Sequence, residues 1–270
     1  MAYRKRNGTI YSILILVCVI GFWLFENFYT PATYSNNELE TNSNSFPKEL
    51  LPSSTTGEIV NHSHFSLSYN EPFEQAEWVA YVLDKKNLTY EDRKRPYFIE
   101  DPFVTSKSAD WRNYKGSGYD RGHLVPAGDR RFSLQAYNET FYTSNISPQD
   151  REFNAGIWND LEQQTRRWAK KYGILYVFTG GVLEEGLEEI GDEDVDVPDA
   201  FYKIIARKKG NHIITISFLI PNKPQFSPLR NFIVSIDDIE KETGIDFFKS
   251  LPVIEQDEFE KKKNASGFKF

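Results

Sequence analysis

The sequence contains a single cysteine, Cys18, among 270 residues, and this cysteine lies in an apolar run. No intrachain disulfide can form, so cysteine usage gives no information on the redox compartment. No set of His, Cys and Asp residues stands at zinc-ligand spacing, which argues against a zinc hydrolase. The motif Gly-x-Ser-x-Gly is also missing, since Gly116-Ser117-Gly118 is shorter, and this argues against a serine hydrolase.

The chain also lacks an overall positive charge. Its formal net charge is -7, which argues against a protein that coats nucleic acid by bulk attraction. The charge is uneven, because residues 93–131 hold nine Lys/Arg and five Asp/Glu, a local balance of +4, whereas residues 184–199 are acidic. A basic face on an acidic protein suits a phosphate substrate that must bind and then leave. We expect the acidic segment to be a solvated loop; the alternative is that it borders a cleft.

One long apolar run opens the chain. Residues 1–9 are basic, and residues 10–29 are apolar with aromatic residues near their end. A membrane span needs about 20 such residues, so 10–29 predicts a single transmembrane helix that anchors the protein. The basic cluster predicts a cytoplasmic N-terminus, with the rest of the chain on the periplasmic or other extracytoplasmic side. The alternatives are an organelle membrane and a cleaved signal peptide followed by secretion.

Three segments follow the anchor. Residues 30–64 are rich in Ser, Thr, Asn and Pro and predict a flexible tether, in which His62 and His64 are expected to be surface residues. Residues 65–254 predict a globular domain, and residues 255–270 a charged, solvated tail. Within the domain, alternating and β-branched runs predict four strands at residues 78–83, 174–179, 201–207 and 212–220.

Helices alternate irregularly with these strands. Apolar spacing predicts one helix over residues 154–171, and Ser235 followed by acids predicts another that ends near Gly244. This mixture predicts an α+β fold with a largely antiparallel central sheet flanked by helices.

His123 is the first candidate for chemistry. It ends the segment Asp120 to His123 within a glycine-dense stretch, residues 116–128, where the backbone can turn tightly and approach a ligand. In an extended segment, alternation places Arg121 and His123 on one face. An arginine can hold a phosphate in its planar fork, and a histidine can accept a proton near neutral pH. This pattern alone also fits a packed or surface histidine.

The predicted helix over residues 154–171 carries the second candidate. Asn154, Trp158 and Glu162 follow one another at intervals of four residues, on one helical face. Asn154 and Glu162 could direct oxygen atoms at a hard cation such as Mg²⁺, which prefers oxygen ligands and keeps several waters. The alternatives are an N-cap for Asn154 and a surface ion pair for Glu162.

The segments that contain His123 and Asn154 lie close together in the sequence, and a third segment, which contains Asn145, lies between them. In this combination the chain resembles the DNA/RNA non-specific endonuclease family, which includes endonuclease G. The resemblance runs from about Trp78 to about Leu251 and leaves out the anchor and the tether. The matching stretches are Tyr119–Asp129, Thr140–Gln149, Asn154–Glu162, Thr179–Gly181, Val197–Lys203 and Ser235–Gly244.

The resemblance implies a ββα-metal fold, in which a β-hairpin carries the histidine and a helix carries a metal-binding asparagine. It implies that His123 is the general base that activates water and that Asn154 is the one direct protein ligand of Mg²⁺, or of Mn²⁺. It also implies that Arg121 binds phosphate. Glu162 and Asn145 are expected to hold metal-bound waters and the geometry of the site.

A further arginine upstream of the histidine is expected to stabilise the transition state, and Arg93 and Arg95 are the candidates, with Arg95 preferred. The function that the resemblance implies is Mg²⁺-dependent, sugar-non-specific cleavage of DNA and RNA. One alternative is a catalytically impaired membrane protein of the same fold that binds nucleic acid or a partner. Another is a phosphoesterase that acts on small nucleotides. A homodimer is left open.

Overall fold

The computed structural model describes residues 2–30, 34, 46–210, 212–263 and 265–270. The chain divides into two units, Met1–Ala32 and Thr33–Phe270. The first unit contains helix α1, Ala2–Phe28. Its segment Gly8–Phe25 has a mean hydropathy of 2.3 and is not buried, so its length and composition suffice to cross a membrane.

A seven-stranded sheet forms the centre of the second unit, and all its neighbouring strands are antiparallel. Two smaller sheets have two strands each, β4 with β5 and β7 with β8. The central sheet has the order β1 (Ile59–Asn61), β2 (Phe65–Asn70), β3 (Gln75–Asp84), β6 (Ile174–Gly181), β9 (Ala200–Lys209), β10 (His212–Pro221) and β11 (Ile233–Val234). The small sheets contain β4 (Asp120–His123), β5 (Ile146–Gln149), β7 (Glu188–Ile190) and β8 (Val195–Val197).

Helices flank the central sheet, so the predicted α+β architecture and its four strands are confirmed. The helices are α2 (Leu134–Glu139), α3 (Arg151–Phe153), a π-helical segment (Asn154–Trp158), α4 (Asn159–Tyr172), α5 (Ile236–Thr243) and α6 (Val253–Phe259). Short 3-10 turns lie at Lys48–Leu50, Glu71–Phe73, Lys85–Asn87, Trp111–Tyr114, Ala127–Asp129, Thr143–Asn145 and Leu229–Phe232.

Both faces of the sheet are buried. Along β3, Val79 and Tyr81 belong to the apolar cluster that contains Trp168 of α4, whereas Trp78 belongs to the cluster that contains Ile239 of α5. Successive side chains of a strand point to opposite faces, so a strand covered on both sides is apolar at nearly every position. This explains the continuous apolar run that predicted β3.

Local signals set the ends of α5. The Ser235 hydroxyl accepts a hydrogen bond from the backbone N–H of Asp238, whose carboxylate accepts one from the Ser235 N–H. This reciprocal pair is a capping box, which satisfies two amides at the helix start. Gly244, with φ of 69°, ends the helix in the left-handed conformation that glycine tolerates best. The predicted start and end of this helix are confirmed.

The folded unit extends beyond its predicted bounds at both ends. The tether expected at 30–64 is wrong for residues 46–64, because Phe46 and Leu50 are buried against the α5 side of the sheet. Residues 31–33 and 35–45 lie outside the described residues. The solvated tail expected at 255–270 is also wrong in part. It contains the end of α6, and Phe268 is buried in the cluster on the α4 side.

The two histidines of the expected tether are buried instead of lying on the surface. The His62 Nε2 lies 2.8 Å from Asp101 Oδ2, and both side chains are inaccessible. His64 packs against Phe132, with ring centroids 5.1 Å apart. The sequence pattern missed this because a polar, serine-rich segment can still pair its backbone at a sheet edge.

Candidate active site

The β4–β5 hairpin holds His123 and leads directly into the helix that holds Asn154. In the antiparallel pairing, His123 lies opposite Ile146 and Asp120 opposite Gln149. Gly122 faces the Gln149 side chain so closely that an added Cβ would lie 2.2 Å from it. A larger residue at this position would therefore require the Gln149 side chain or the strand pairing to shift. The hairpin followed by α3, the π-helical segment and α4 is the predicted ββα arrangement.

Asn145 fixes the backbone that follows His123. Its side chain is inaccessible to solvent, and its Oδ1 accepts a hydrogen bond of 2.8 Å from the Val125 N–H. Its Nδ2 donates to the carbonyls of Val125 and Thr140, at 3.1 and 2.9 Å. The oxygen and the nitrogen of the Asn145 side-chain amide are thus both hydrogen-bonded to backbone groups. These contacts fit the part of the expectation in which Asn145 holds the geometry of the site, since its amide supports the hairpin backbone.

His123 packs between two aromatic rings. Its ring centroid lies 5.0 Å from that of Phe141 and 5.7 Å from that of Phe98. Its Nε2 is buried and has no hydrogen-bond partner among the described residues. Burial lowers the pKa of His123 to about 3, and the positive charges of Arg95 and Arg121 act in the same direction. The imidazole is therefore neutral at pH 7, and the same surroundings make it a weaker base than a free histidine.

Two arginines meet beside this histidine. The Arg121 guanidinium lies 4.7 Å from the centroid of the Phe98 ring, and the Arg95 guanidinium lies 5.2 Å from the same centroid. Burial lowers the pKa of Arg121, and the charge of Arg95 lowers it further. Among the described residues, neither guanidinium forms an ion pair. Two like charges held together without a carboxylate make a site for an anion such as phosphate.

Arg93 points elsewhere. Its Nε donates to the carbonyl of Arg131 at 2.7 Å, and its guanidinium pairs with Glu91. Of the two candidate arginines from the sequence, the structure therefore brings Arg95 to His123.

Asn154 is oriented by Asp120. The Asn154 Nδ2 donates to the Asp120 carboxylate at 3.1 Å, and the other carboxylate oxygen lies 3.5 Å from Arg151 Nε. No described residue donates a hydrogen bond to the Asn154 Oδ1, the amide atom that a hard cation would take. Sequence reasoning assigned no role to Asp120. The feature of the sequence that could have indicated a role for Asp120 is its position at the start of the segment that ends in His123. The pairing of β4 with β5 places Asp120 opposite Gln149, close to the helix that carries Asn154.

The helix around Asn154 is not a regular α-helix. Residues 154–158 form a π-helical segment, and Gly156 has non-helical dihedrals, φ -98° and ψ -109°. The predicted single face shared by Asn154, Trp158 and Glu162 assumed a regular α-helix, and the π-helical segment interrupts that register. Trp158 packs in the core against Phe153, with ring centroids 5.3 Å apart. A π-helical segment is frequent at functional sites, where it redirects one side chain.

Glu162 belongs to a buried network of four charges. Its carboxylate lies 3.2 Å from Arg166 Nη2, and Arg166 Nε lies 2.5 Å from Asp129. The Lys203 ammonium is buried 4.5 Å from the centroid of the Trp158 ring. Burial raises the pKa of Glu162, while the charges of Arg166 and Lys203 lower it. The structure contains the ion pair of the alternative for Glu162, and the pair is partly buried, with side-chain exposures of 23% for Arg166 and 15% for Glu162.

The acidic segment is a packed hairpin, so the expected solvated loop is wrong for β7 and β8. Its residues Ile190 and Val195 are buried in the cluster that contains Phe98. Its Glu188 carboxylate accepts a 2.9 Å hydrogen bond from the hydroxyl of Tyr119, which precedes β4. The segment thus contacts the same cluster and the same loop that support the histidine and the arginines.

Known proteins share this arrangement of sequence and fold. Residues 42–254 match the family described as DNA/RNA non-specific endonuclease. The mitochondrial nuclease EXOG of Danio rerio is 36% identical over 207 residues, which are 70% of this chain and 60% of that protein. The mitochondrial nuclease 1 of Schizosaccharomyces pombe is 34% identical over 250 residues, 83% of this chain and 77% of that protein.

A solved structure is similar throughout most of the folded unit. A chain of the crystal structure of the EndoG/EndoGI complex superposes with a TM-score of 0.67 and is 31% identical. The match covers 73% of this chain and 88% of that chain. This chain spans 60% of the length of the EXOG protein that it matches.

Proposed function

Because the chain belongs to the DNA/RNA non-specific endonuclease family, we propose that it hydrolyses phosphodiester bonds of DNA and RNA without strong preference for sequence or sugar. The observation that carries this proposal is the neutral, partly buried His123 beside the paired guanidinium groups of Arg95 and Arg121. A base and two phosphate-binding cations within one small region suit an attack by water on a phosphodiester.

His123 is proposed to take the proton from the attacking water. A neutral imidazole is required for this step, and the burial and charges around His123 keep it neutral at pH 7. Arg95 and Arg121 are proposed to hold the phosphate oxygens, where charge accumulates in the transition state. Such contacts go to the backbone of the nucleic acid and not to base edges, so they carry no sequence preference.

Asn154 is proposed to bind Mg²⁺, with Mn²⁺ as an alternative. The residues fit such an ion because Asp120 holds the amide nitrogen of Asn154 and leaves the amide oxygen open. When bound, a divalent ion neutralises charge on the phosphate and on the leaving oxygen. Glu162 is proposed to hold ion-bound water; burial raises the pKa of its carboxyl, and the Arg166 and Lys203 charges oppose that rise.

A cleavage assay with plasmid DNA and with RNA tests this function. The purified chain is expected to cut both substrates in Mg²⁺ and neither in EDTA, and Asn154→Ala is expected to raise the Mg²⁺ concentration that half-maximal activity requires. Arg230→Ala, at an exposed arginine of the turn Leu229–Phe232, serves as the control. Cleavage of small nucleotides alone would favour the alternative phosphoesterase, and absence of Mg²⁺-dependent cleavage would contradict the proposal.

Helix α1 is proposed to anchor the enzyme in a membrane. Its exposed apolar segment Gly8–Phe25 supports this, and the mitochondrial names of the similar proteins favour the organelle alternative over the periplasmic one. Carbonate-resistant membrane association that is lost when residues 1–33 are removed is the expected result. Equal release of both chains into the soluble fraction would contradict an anchor. Homodimer formation stays a prediction.

A further inference from the structure

Three carboxylates from two segments meet beside helix α5, on elements that do not belong to the nuclease site. Asp237 and Glu240 stand on α5, and Glu260 follows the end of α6. One carboxylate oxygen of each lies within 4.8 Å of the corresponding oxygens of the other two. None of the three forms an ion pair within 4.0 Å of another described residue.

Glu260 is the unusual member of this cluster. Only 6% of the residue is exposed, and its Oε1 is buried without a hydrogen-bond partner among the described residues. Its position is fixed by the backbone, because its carbonyl accepts a 2.9 Å hydrogen bond from the N–H of Ile236. A buried carboxylate oxygen with no donor costs free energy unless a cation or a proton compensates it.

The protein supplies little compensation. Glu240 accepts one hydrogen bond, of 2.8 Å, from the Phe247 N–H. Lys261 is exposed, its ammonium is paired with Asp257 at 2.6 Å, and its charge acts on Asp237 and Glu260 only from beyond 4.0 Å. Burial, followed by the charges of Glu240, Asp237 and other nearby acids, raises the pKa of Glu260 to about 8. In the metal-free chain Glu260 therefore holds a proton at pH 7, which a bound cation would displace.

We propose that Asp237, Glu240 and Glu260 bind a divalent cation of the Ca²⁺ type. The ligand set consists of oxygen atoms alone, which suits a hard cation and not a transition metal. Ca²⁺ takes oxygen ligands at about 2.3–2.6 Å, so two ligands on opposite sides of the ion stand up to about 5 Å apart. Oxygens that lie within 4.8 Å of one another fit around such an ion, with water in the remaining positions.

The bound ion joins α5 to the chain that follows α6. The contact lies next to Phe259, which packs against Phe248 with ring centroids 5.1 Å apart. An ion that binds only the folded chain stabilises it according to its concentration and affinity. The site therefore acts on the stability of the C-terminal segment and is independent of the nuclease chemistry proposed above.

Thermal unfolding of the full chain in detergent tests this site. The parent is the Asn154→Ala chain, in which the proposed cation ligand of the nuclease site is absent, and it is stripped with EDTA before CaCl₂ is added. Its Tm is expected to rise by about 5–10 °C at 100 times the dissociation constant. Glu260→Gln is expected to abolish this rise and to leave the metal-free Tm nearly unchanged, because glutamine replaces a carboxyl that is protonated at pH 7.

The matched control is Glu242→Gln, an exposed acid on the same helix, which is expected to respond to CaCl₂ like the parent. Calorimetric titration of the parent should give one Ca²⁺ per chain. An equal Tm rise in the parent and in Glu260→Gln would overturn the proposal. The absence of both a Tm rise and bound Ca²⁺ at a CaCl₂ concentration of about 10 mM would also overturn it, because that concentration exceeds the dissociation constants of the weakest protein calcium sites. If Glu260→Gln does not fold, Asp237→Asn carries the same comparison.

Discussion

At the scale of single residues, the environment of His123 decides whether it can act as a base. Two aromatic rings pack against its partly exposed ring, and two guanidinium groups oppose its protonation. Both effects favour the neutral imidazole. The same two guanidinium groups are free to bind an anion, so a single cluster of charges sets the protonation state of the base and the position of the substrate.

The first prediction concerns the pKa of this histidine. In the chain without nucleic acid, His123 is expected to titrate well below its ordinary value of about 6.5. NMR of selectively labelled histidine measures this, with His123→Ala identifying the signal. The signal should not change between pH 8 and pH 5.5. A midpoint at or above 6.5 would show that burial and the two arginines do not act as described.

The second prediction concerns Asn145. Asn145→Ala removes three hydrogen bonds to buried backbone groups, and it should lower the free energy of unfolding by about 2–4 kcal/mol. It should also lower kcat, because the backbone after His123 is released. Urea denaturation and cleavage rates measure the two effects. A kcat that falls without any loss of stability would return Asn145 to the role of holding metal-bound water.

At the scale of elements, a two-stranded hairpin and an interrupted helix bring the two chemical groups together. The strand alternation of β4 was predictable from the sequence, because an extended segment with period two needs only local information. The π-helical segment was not predictable, because 154–158 contains no proline and its pattern also fits a regular α-helix. The buried network of Glu162 was also hidden, since Asp129 and Lys203 are distant from it in the sequence.

The third prediction concerns the register of the hairpin. Gly122→Ala places a methyl group 2.2 Å from the buried Gln149 side chain, so that side chain or the strands must shift, and activity should fall by at least tenfold. Gln149→Ala removes the obstacle, and its own amide has no hydrogen-bond partner to lose among the described residues. The double variant should therefore recover most of the activity. No recovery would mean that Gly122 is needed for its backbone conformation and not for close approach.

At the scale of the whole molecule, the sequence predicted the fold class and the central strands but placed the ends of the domain incorrectly. The central strands are apolar on both faces, so their sequences form continuous apolar runs that differ clearly from the neighbouring polar segments. The terminal segments are short and polar, and their few apolar side chains, such as Phe46 and Phe268, contribute to the core from isolated positions. Periodicity cannot detect single anchoring residues of this kind.

The fourth prediction follows from these ends. Phe268 is buried, and the Trp168 indole donates a 2.9 Å hydrogen bond to the carbonyl of Lys269. Removal of residues 265–270 should therefore lower the free energy of unfolding by about 3–5 kcal/mol. Removal of residues 1–33 is the control and should leave the unfolding of the second unit unchanged. An equal free energy of unfolding for the full chain and both truncated chains would show that residues 265–270 do not contribute to the folded core.

The central claim is that His123 is the base of a nucleic-acid-cleaving site, and the rate of plasmid cleavage by His123→Ala in Mg²⁺ tests it most directly. The matched control is His212→Ala, since His212 is exposed at the start of β10. His123→Ala is expected to keep its Tm and to lose about 10²–10⁴ in rate, while His212→Ala is expected to cleave like the unaltered chain. A folded His123→Ala that cleaves within about threefold of the unaltered chain would contradict this claim.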